Sequence, residues 1–585
     1  MSAERETVIR EQIKIAKEPI VSCEQCGMCS SACPVTGVDG FNIRRIERAV
    51  QLGMVDGLVD SRLPWVCTTC GRCEEACPNG YRIMSTTRAL RALTPPDVAP
   101  AVAACRAACP AGVDAPRYVR LIAEGKPEAA YAVVREKVPF PGILGRVCAH
   151  PCEEACRRGA VNQPIAICTL KRYAAEYGAA AFPKPAPGPD TGRKVAVVGA
   201  GPAGLTAAYY LRRLGHAVTM FEAREKAGGM MRYGIPAYRL PEEVLDQEIG
   251  GVLDLGIDLQ TGRRLGEDVT LDDLRAGYDA VLLTVGAQVS RKIKLEGGDH
   301  PDVLWGVEYL ADVRSGKDVA LKERVVVVGG GNVAVDVALS ALRTGAKSVA
   351  MACLESRAEM PAFAWELEEA VEEGVELVPS WGPSRILVEN GAIVGIELVQ
   401  CHSVFDDSGA FCPMFGEEKR VLEADQVILA IGQATDLTFL EAKSPVTTLG
   451  GLIDVDLESQ ATAADGVFAA GDAAVKAPGT PGTIINAIAA GRRVAASIDR
   501  FLGGTGRIDE VLYQDDGADT YTGEREPGFA DLVRVAEPTV PVEERFAGFV
   551  EVARGFAADL AVREAKRCLQ CDREIDLARN WVGWV

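Results

Sequence analysis

The stretch that most constrains the fold is Lys194–Glu222, KVAVVGAGPAGLTAAYYLRRLGHAVTMFE. An apolar run, Val195–Val198, enters Gly199-x-Gly201-x-x-Gly204, a helix begins, and a second strand ends on Glu222. Gly199 serves the tight turn, Gly201 the approach of a pyrophosphate and Gly204 the packing of helix on strand, so phosphates would sit on a helix N-terminus. Glu222 falls where a carboxylate accepts hydrogen bonds from the ribose hydroxyls of an adenine dinucleotide. The pattern returns at Arg324, VVVVGGGNVAVDVALSALRTGAKSVAMACLE, with Gly329, Gly331, Asn332 and Ala334 at the turn. An α/β chain with two Rossmann-like domains is therefore expected. Two such units in one chain make sense when one holds flavin and the other nicotinamide.

The chain has 585 residues, which suggests three to five domains. Its formal charge of −19 disfavours nucleic acid or an anionic membrane as partner. It has no apolar run long enough to span a bilayer, and MSAERETVIREQIKIAKEPI lacks the apolar core of a signal peptide, so a soluble cytoplasmic protein is expected.

Nineteen cysteines, mostly in CxxC and CxxxC spacings, are too regular for disulfides in such a chain and read as metal ligands. Residues 1–95 hold Cys23-x-x-Cys26-x-x-Cys29-x-x-x-Cys33-Pro34 and Cys67-x-x-Cys70-x-x-Cys73-x-x-x-Cys77-Pro78. Three closely spaced thiolates wrap one corner of a cubane, and the fourth, before proline, serves the other cluster of a two-cluster fold. This predicts one 4Fe–4S cluster on Cys23, Cys26, Cys29 and Cys77, and a second on Cys67, Cys70, Cys73 and Cys33. Zinc is the alternative, but zinc sites seldom need a doubled repeat of this form. SCEQCGMCSSACP and PWVCTTCGRCEEACP resemble the C subunit of heterodisulfide reductase, a two-cluster electron carrier.

Residues 96–190, bounded by TPPD and FPKPAPGPDTGR, carry Cys105-x-x-x-Cys109, Cys148-x-x-x-Cys152-x-x-x-Cys156 and Cys168 among amphipathic helical segments. CxxxC on a helix puts both thiols on one face. CPAGVDAPRYVRLIAEG, GRVCAHPCEEAC and PIAICTLKRYA resemble the helical iron–sulfur domain of the glutamate synthase small subunit and of dihydropyrimidine dehydrogenase. That resemblance implies two clusters, hence eight ligands, against six cysteines present. The family's EAxRCxxC opening is missing before Cys105, while the tail contains EAKRCLQCD with Cys568 and Cys571. The resemblance thus implies that the tail, 506–585, folds back. One cluster would use Cys568, Cys571, Cys105 and Cys156, and the other Cys109, Cys148, Cys152 and a fourth ligand. In dihydropyrimidine dehydrogenase the fourth ligand is not a cysteine, and the matching position falls near Lys171 or Arg172, which cannot ligate. Cys168 is the replacement. A tail CxxC that binds nothing, or a partner's metal, is the alternative. Cys353, Cys401 and Cys412 lie apart and read as ordinary, although one could be redox-active.

The flavin domain is expected over 191–310 and 424–505, and the nicotinamide domain over 311–423. Gly229 follows Glu222, and AVLLTVGAQ brings Gly286 near the cofactor. This order, with GIPAYRLP, resembles the two-dinucleotide flavoproteins and implies FAD at Gly199. In NADPH-using relatives the second unit's strand ends in a Tyr-Arg-Arg-like group. Here Cys353, Leu354 and Glu355 stand there, with Arg357 retained, and a carboxylate at Glu355 would repel a 2′-phosphate. NAD(H) is expected, with the alternative that Glu355 is a solvated acid and Arg357 still admits phosphate. GVFAAGDAA supplies Gly471 and Asp472, the latter matching an aspartate that contacts the flavin in this superfamily. ADQVILAIGQATD reads as another flavin-domain strand.

Hydride transfer to flavin needs stacked rings and no acid–base pair, so no catalytic residue is nominated. His150, His216, His300 and His402 are scattered and read as structural. The leading expectation is an NADH-oxidising FAD and iron–sulfur subunit with four clusters in a multisubunit complex. Its partner would be a heterodisulfide-reductase-B-like subunit, a ferredoxin or a reductase subunit. Flavin-based electron bifurcation is a special form of it. A glutamate synthase small subunit is disfavoured by the extra head and Glu355, and a redox-sensing scaffold by two intact dinucleotide turns.

Overall fold

Two parallel sheets carry the glycine turns. The computed structural model describes residues 23–441, 444–514 and 521–580, so the N-terminal stretch read for a signal peptide lies outside the described residues. In the first sheet the strand order is Val467–Ala469, Ala280–Leu283, Lys194–Val198, Ala217–Glu222, Asp258–Thr261. In the second it is Val303–Trp305, Gln426–Leu429, Arg324–Val328, Ser348–Cys353, Glu376–Pro379. Val195–Val198 and Val325–Val328 are buried throughout, as strands covered on both faces must be. A three-stranded antiparallel sheet, Trp381–Glu389, Ala392–Phe405 and Phe411–Glu423, extends the second domain. These elements form one unit, residues 183–508 and 538–554.

One boundary moves. The strand Gln426–Leu429, expected in the flavin domain, lies in the nicotinamide sheet, pairing with Arg324–Val328 on one side and with Val303–Trp305 on the other. Its residues are all buried, so its apolar run carries no mark of which sheet it joins.

The second unit, residues 1–182, 509–537 and 555–585, is mainly helical. Its head centres on Val35, Phe41, Ile43, Ile46, Val50, Tyr81 and Leu90. Asn42 caps the helix Ile43–Leu52 by accepting from Arg45 N at 3.1 Å. The helices Pro127–Arg135 and Pro141–Val147 begin on proline, whose missing N–H costs nothing there. The region expected as a single C-terminal tail is split: 538–554 belong to the dinucleotide unit and the flanking stretches to the helical one. The reason lies in buried arginines. Arg545 donates to Glu372 and Glu373 at 3.0 and 3.2 Å, and Glu373 also holds the fully buried Arg343 at 2.6 Å. In the helical unit Arg158, wholly buried, donates to the carbonyls of Phe529, Ala530 and Leu532. Buried guanidinium groups persist only when paired in this way.

Candidate functional site

The first glycine turn opens on a cleft of about 400 Å³, lined by Gly199, Gly201, Glu222, Gly229, Gly286, Gly471 and Asp472. Gly204 lies in the helix that follows, Pro202–Arg213. Gly199 has φ +100°, and a Cβ there would fall 2.4 Å from the Thr284 carbonyl oxygen, so only glycine fits. Glu222 accepts from Ala200 N at 2.8 Å and from Arg224 N at 2.9 Å, which ties the strand-end acid to the turn. Burial pushes its carboxyl pKa up, against those two bonds. Asp472 accepts from Lys476 Nζ at 2.5 Å. Sequence reasoning missed Arg224, Arg263 and Arg264, which bring positive charge to the cleft but stand in no recognisable motif. Gln288 also lines it, its Oε1 buried without a hydrogen-bond partner. A glycine cradle, a cationic rim and a buried acceptor awaiting a donor fit a flavin dinucleotide.

The second turn repeats this geometry. Gly331 precedes the helix Asn332–Arg343, and Ala334 is fully buried beneath the turn. Val328 pairs with Ala352 as Val198 pairs with Phe221, so Cys353 occupies the strand-end place of Glu222. Glu355 lies two residues on, with Oε2 only 2.9 Å from where a Gly330 Cβ would be. Its carboxylate therefore overhangs the turn. Arg357 reaches the Met360 sulfur at 4.0 Å. Asn332 Nδ2 donates to Glu366 Oε2 at 2.5 Å. Arg239, in the GIPAYRLP segment, donates to Asp336 at 2.8 Å and also to Glu366, buttressing the helix under the turn. Burial raises Asp336 to about 6, with Arg239 opposing.

The structure groups the cysteines. In the head, Cys67, Cys70 and Cys73 are buried, and Cys33 is close enough to Cys67 and Cys70 that, after burial, their charges raise its pKa. Cys23 and Cys29 are half-buried and Cys26 is exposed; Cys77 Sγ accepts from Tyr81 N at 3.4 Å. In the helical region Cys105, Cys156, Cys568 and Cys571 line one small cavity. Burial, and next the Cys568, Cys571 and Cys156 thiols, push the Cys105 thiol well up. Cys148, Cys152, Cys168 and Cys109 form another group around the Lys171 ammonium, whose pKa these thiols raise although burial alone would lower it. Lys171, set aside as a non-ligand, is thus the cation of that group. The Cys168 thiol is buried and donates to the Leu144 carbonyl at 3.3 Å. Tyr118, fully buried, is within electrostatic reach of Cys105 in one group and of Cys152, Cys168 and Cys109 in the other. Among the described residues no three His, Cys, Asp or Glu side chains converge as a single metal ion requires. A set of thiols lining a space is the donor chemistry of an iron–sulfur cluster. His216 sits 2.9 Å from Asp499 and 2.8 Å from Thr191 Oγ1, away from both turns.

Comparison with known proteins decides the family. The model for pyridine nucleotide-disulphide oxidoreductases matches residues 193–491. The chain belongs to this family. Within this pyridine nucleotide-disulphide oxidoreductase two further models match: a 4Fe–4S dicluster domain at 20–81 and dihydropyrimidine dehydrogenase domain II, 4Fe–4S cluster, at 98–181. The chain is 41% identical over 505 residues to the NADP(+)-dependent formate dehydrogenase subunit beta of Moorella thermoacetica, covering 80% of this chain and 71% of that one. It is 36% identical over 510 residues to the NADPH-Fe(3+) oxidoreductase subunit beta of Geobacter sulfurreducens, covering 80% and 75%. It is 33% identical over 406 residues to the NAD-dependent dihydropyrimidine dehydrogenase subunit PreT of Salmonella typhimurium, covering 68% and 91%. The pyridine nucleotide-disulphide oxidoreductase fold, with two glycine turns that follow iron–sulfur domains in the sequence, is as expected. Among the described residues no helix is long and apolar enough to cross a membrane.

Proposed function

We propose that this chain is the NADP(H)-linked flavin and iron–sulfur subunit of a larger electron-transfer complex, exchanging electrons between a nicotinamide and a protein partner through its cysteine-rich head. The observation that carries the reading is the meeting of Cys105 and Cys156 with Cys568 and Cys571 around one cavity. It restores the ligand pair missing from the start of the helical module. With the Cys109, Cys148, Cys152 and Cys168 group and the eight head thiols, four 4Fe–4S clusters would be accommodated. Gly199, Gly201, Gly204, Glu222, Gly229, Gly286, Gly471 and Asp472 would hold FAD, and Gly329, Gly331, Asn332 and Ala334 the nicotinamide dinucleotide. Bound flavin takes two electrons as hydride and releases them singly, the form clusters accept. The chain's own task is binding and orientation. Glu222 and the Arg224, Arg263 and Arg264 rim would fix the flavin dinucleotide, and Arg239 braces the nicotinamide turn.

The names of the Moorella and Geobacter relatives, both beta subunits tied to NADP(H), support the nicotinamide and the multisubunit setting. A heterodisulfide-reductase-B-like subunit, a ferredoxin or a reductase subunit would suit the head. Glu355 favours a second reading, NAD(H), because its carboxylate overhangs the turn where a 2′-phosphate would lie. The test is anaerobic flavin bleaching by NADPH and by NADH. The proposal expects a preference for NADPH of about tenfold or more in kcat/KM. An equal preference for NADH supports the second reading, and bleaching by neither refutes both.

A further inference from the structure

We infer that Arg525 and Arg157 fasten the tail cysteine site to the second head site, making Cys568/Cys571 and Cys67/Cys70 the junction at which electrons cross between the helical module and the head. The inference rests on the proposed function and adds the order of the relay. Arg525 Nε donates to the Thr69 carbonyl at 3.0 Å, and its Nη2 donates to the Leu569 carbonyl at 2.6 Å. Thr69 lies between Cys67 and Cys70, and Leu569 between Cys568 and Cys571, so one guanidinium holds both ligand loops. Arg157, the neighbour of Cys156, donates to the carbonyls of Trp65 and Val66 at 2.7 and 2.5 Å, just ahead of Cys67. Arg525 thus bridges the two loops from a third segment, while Arg157 reaches from beside Cys156 to the chain ahead of Cys67.

Packing agrees. Cys70, Phe529 and Leu569 share one buried apolar cluster, with Cys571 against it. Cys67 and Cys571 line the same cavity, of about 340 Å³. The Arg525 guanidinium stacks 4.7 Å from the Phe529 ring and its side chain is only 5% exposed. Gly71 leaves room for it, since a Cβ there would come 3.3 Å from Arg525 Cβ. Planar, multi-donor arginine suits two carbonyls at once, which lysine would meet as a point charge. The Cys23, Cys26 and Cys29 site, with Cys26 exposed, is then the outer end of the relay.

The step served is a single-electron exchange: no bond is made or broken and no proton moves, and the electrons come from the nicotinamide. Arg525 is a positioning residue. The test uses the holoprotein as wild type, Arg525→Met and, as control, Arg82→Ala, which breaks the exposed Arg82–Glu524 pair on the same segment. Iron per chain, flavin bleaching by nicotinamide, cluster EPR and reduction of a one-electron dye are read together. The wild type, fully reduced, is expected to show magnetic interaction between two clusters. Arg525→Met should keep iron and bleaching, lose that interaction and reduce the dye about tenfold or more slowly. Arg82→Ala should match wild type. Reduced wild-type clusters without interaction overturn the inference, as does Arg525→Met with wild-type coupling and rate. If Arg525→Met loses iron, the wild-type spectrum decides. Wild type without cluster signals or bleaching sinks the underlying function instead.

Discussion

Arg88 donates to both carboxylate oxygens of Glu574, Nη2 at 2.7 Å and Nε at 3.0 Å, with each side chain only 3% exposed. Glu574 lies three residues beyond Cys571, Arg91 approaches it at 3.4 Å and the Tyr521 hydroxyl at 2.7 Å. This network docks the tail helix Cys571–Arg579 on the head helix Ile83–Leu93.

Glu574→Ala leaves Arg88 buried without its partner, at a cost of about 3 kcal/mol or more. It is expected to loosen the tail and lower iron content, read by iron assay after gel filtration. Burial alone would raise the Glu574 pKa, but Arg88, then Arg91 and Arg525, hold it below 4.5. The folded carboxyl thus ionises more readily than the unfolded one. Its contribution is complete above about pH 4.5 and is lost as pH falls through the folded value, so iron retention should be flat near neutrality and decline only in acid.

Gly199→Ala forces a methyl group against the Thr284 carbonyl. Purified protein should carry little or no flavin, measured as the flavin-to-protein ratio, while iron content is kept. Wild-type flavin loading in this variant would show that the turn is not the flavin site.

Cys568→Ser and Cys105→Ser should each lose about four irons per chain, because each removes a ligand of the same cluster. Cys412→Ser, at an exposed residue outside every group, should lose none. Unequal losses from the two ligand variants would mean that the two thiols do not share a site.

Glu355→Arg exchanges the carboxylate over the second turn for a phosphate-binding group. The ratio of kcat/KM for NADPH over NADH should rise by about tenfold, or 1.4 kcal/mol. An unchanged ratio would place Glu355 outside the nicotinamide contacts.

Glu47 lies buried in the head, accepting from the Tyr81 hydroxyl at 3.0 Å, and burial raises its pKa from 4.5 to about 8. A raised carboxyl pKa means the folded protein holds the proton more tightly than the unfolded chain. Stability from Glu47 is therefore complete below about pH 4.5 and is lost as pH rises through about 8, on the order of 5 kcal/mol in all. Glu47→Gln should flatten that slope in anaerobic denaturant titrations between these limits.

What the sequence made legible was local. Each phosphate turn lies within about twenty residues of its strands, and the head cysteines carry their spacing with them, so Gly199, Glu222, Gly329 and the two CxxCxxC runs could be singled out without a structure. The returning tail was inferable because a known pair was missing and an unclaimed pair remained. Long-range partnership was not legible. Gln426–Leu429 is apolar on both faces and names no neighbour. Arg525, Glu574 and Arg158 look like ordinary surface charges until the chain brings their partners from hundreds of residues away.

The cavity lined by Cys105, Cys156, Cys568 and Cys571 draws together thiols that stand hundreds of residues apart in the sequence. A thiol set so divided cannot close until Cys568 and Cys571 have been made, and both glycine turns precede them in the sequence. Were a cluster held there, its loading would have to follow synthesis of both glycine turns, and its presence would report that translation had passed Cys571. Nonsense or frameshift products ending before Cys568 would keep both glycine turns yet lack two of these four thiols.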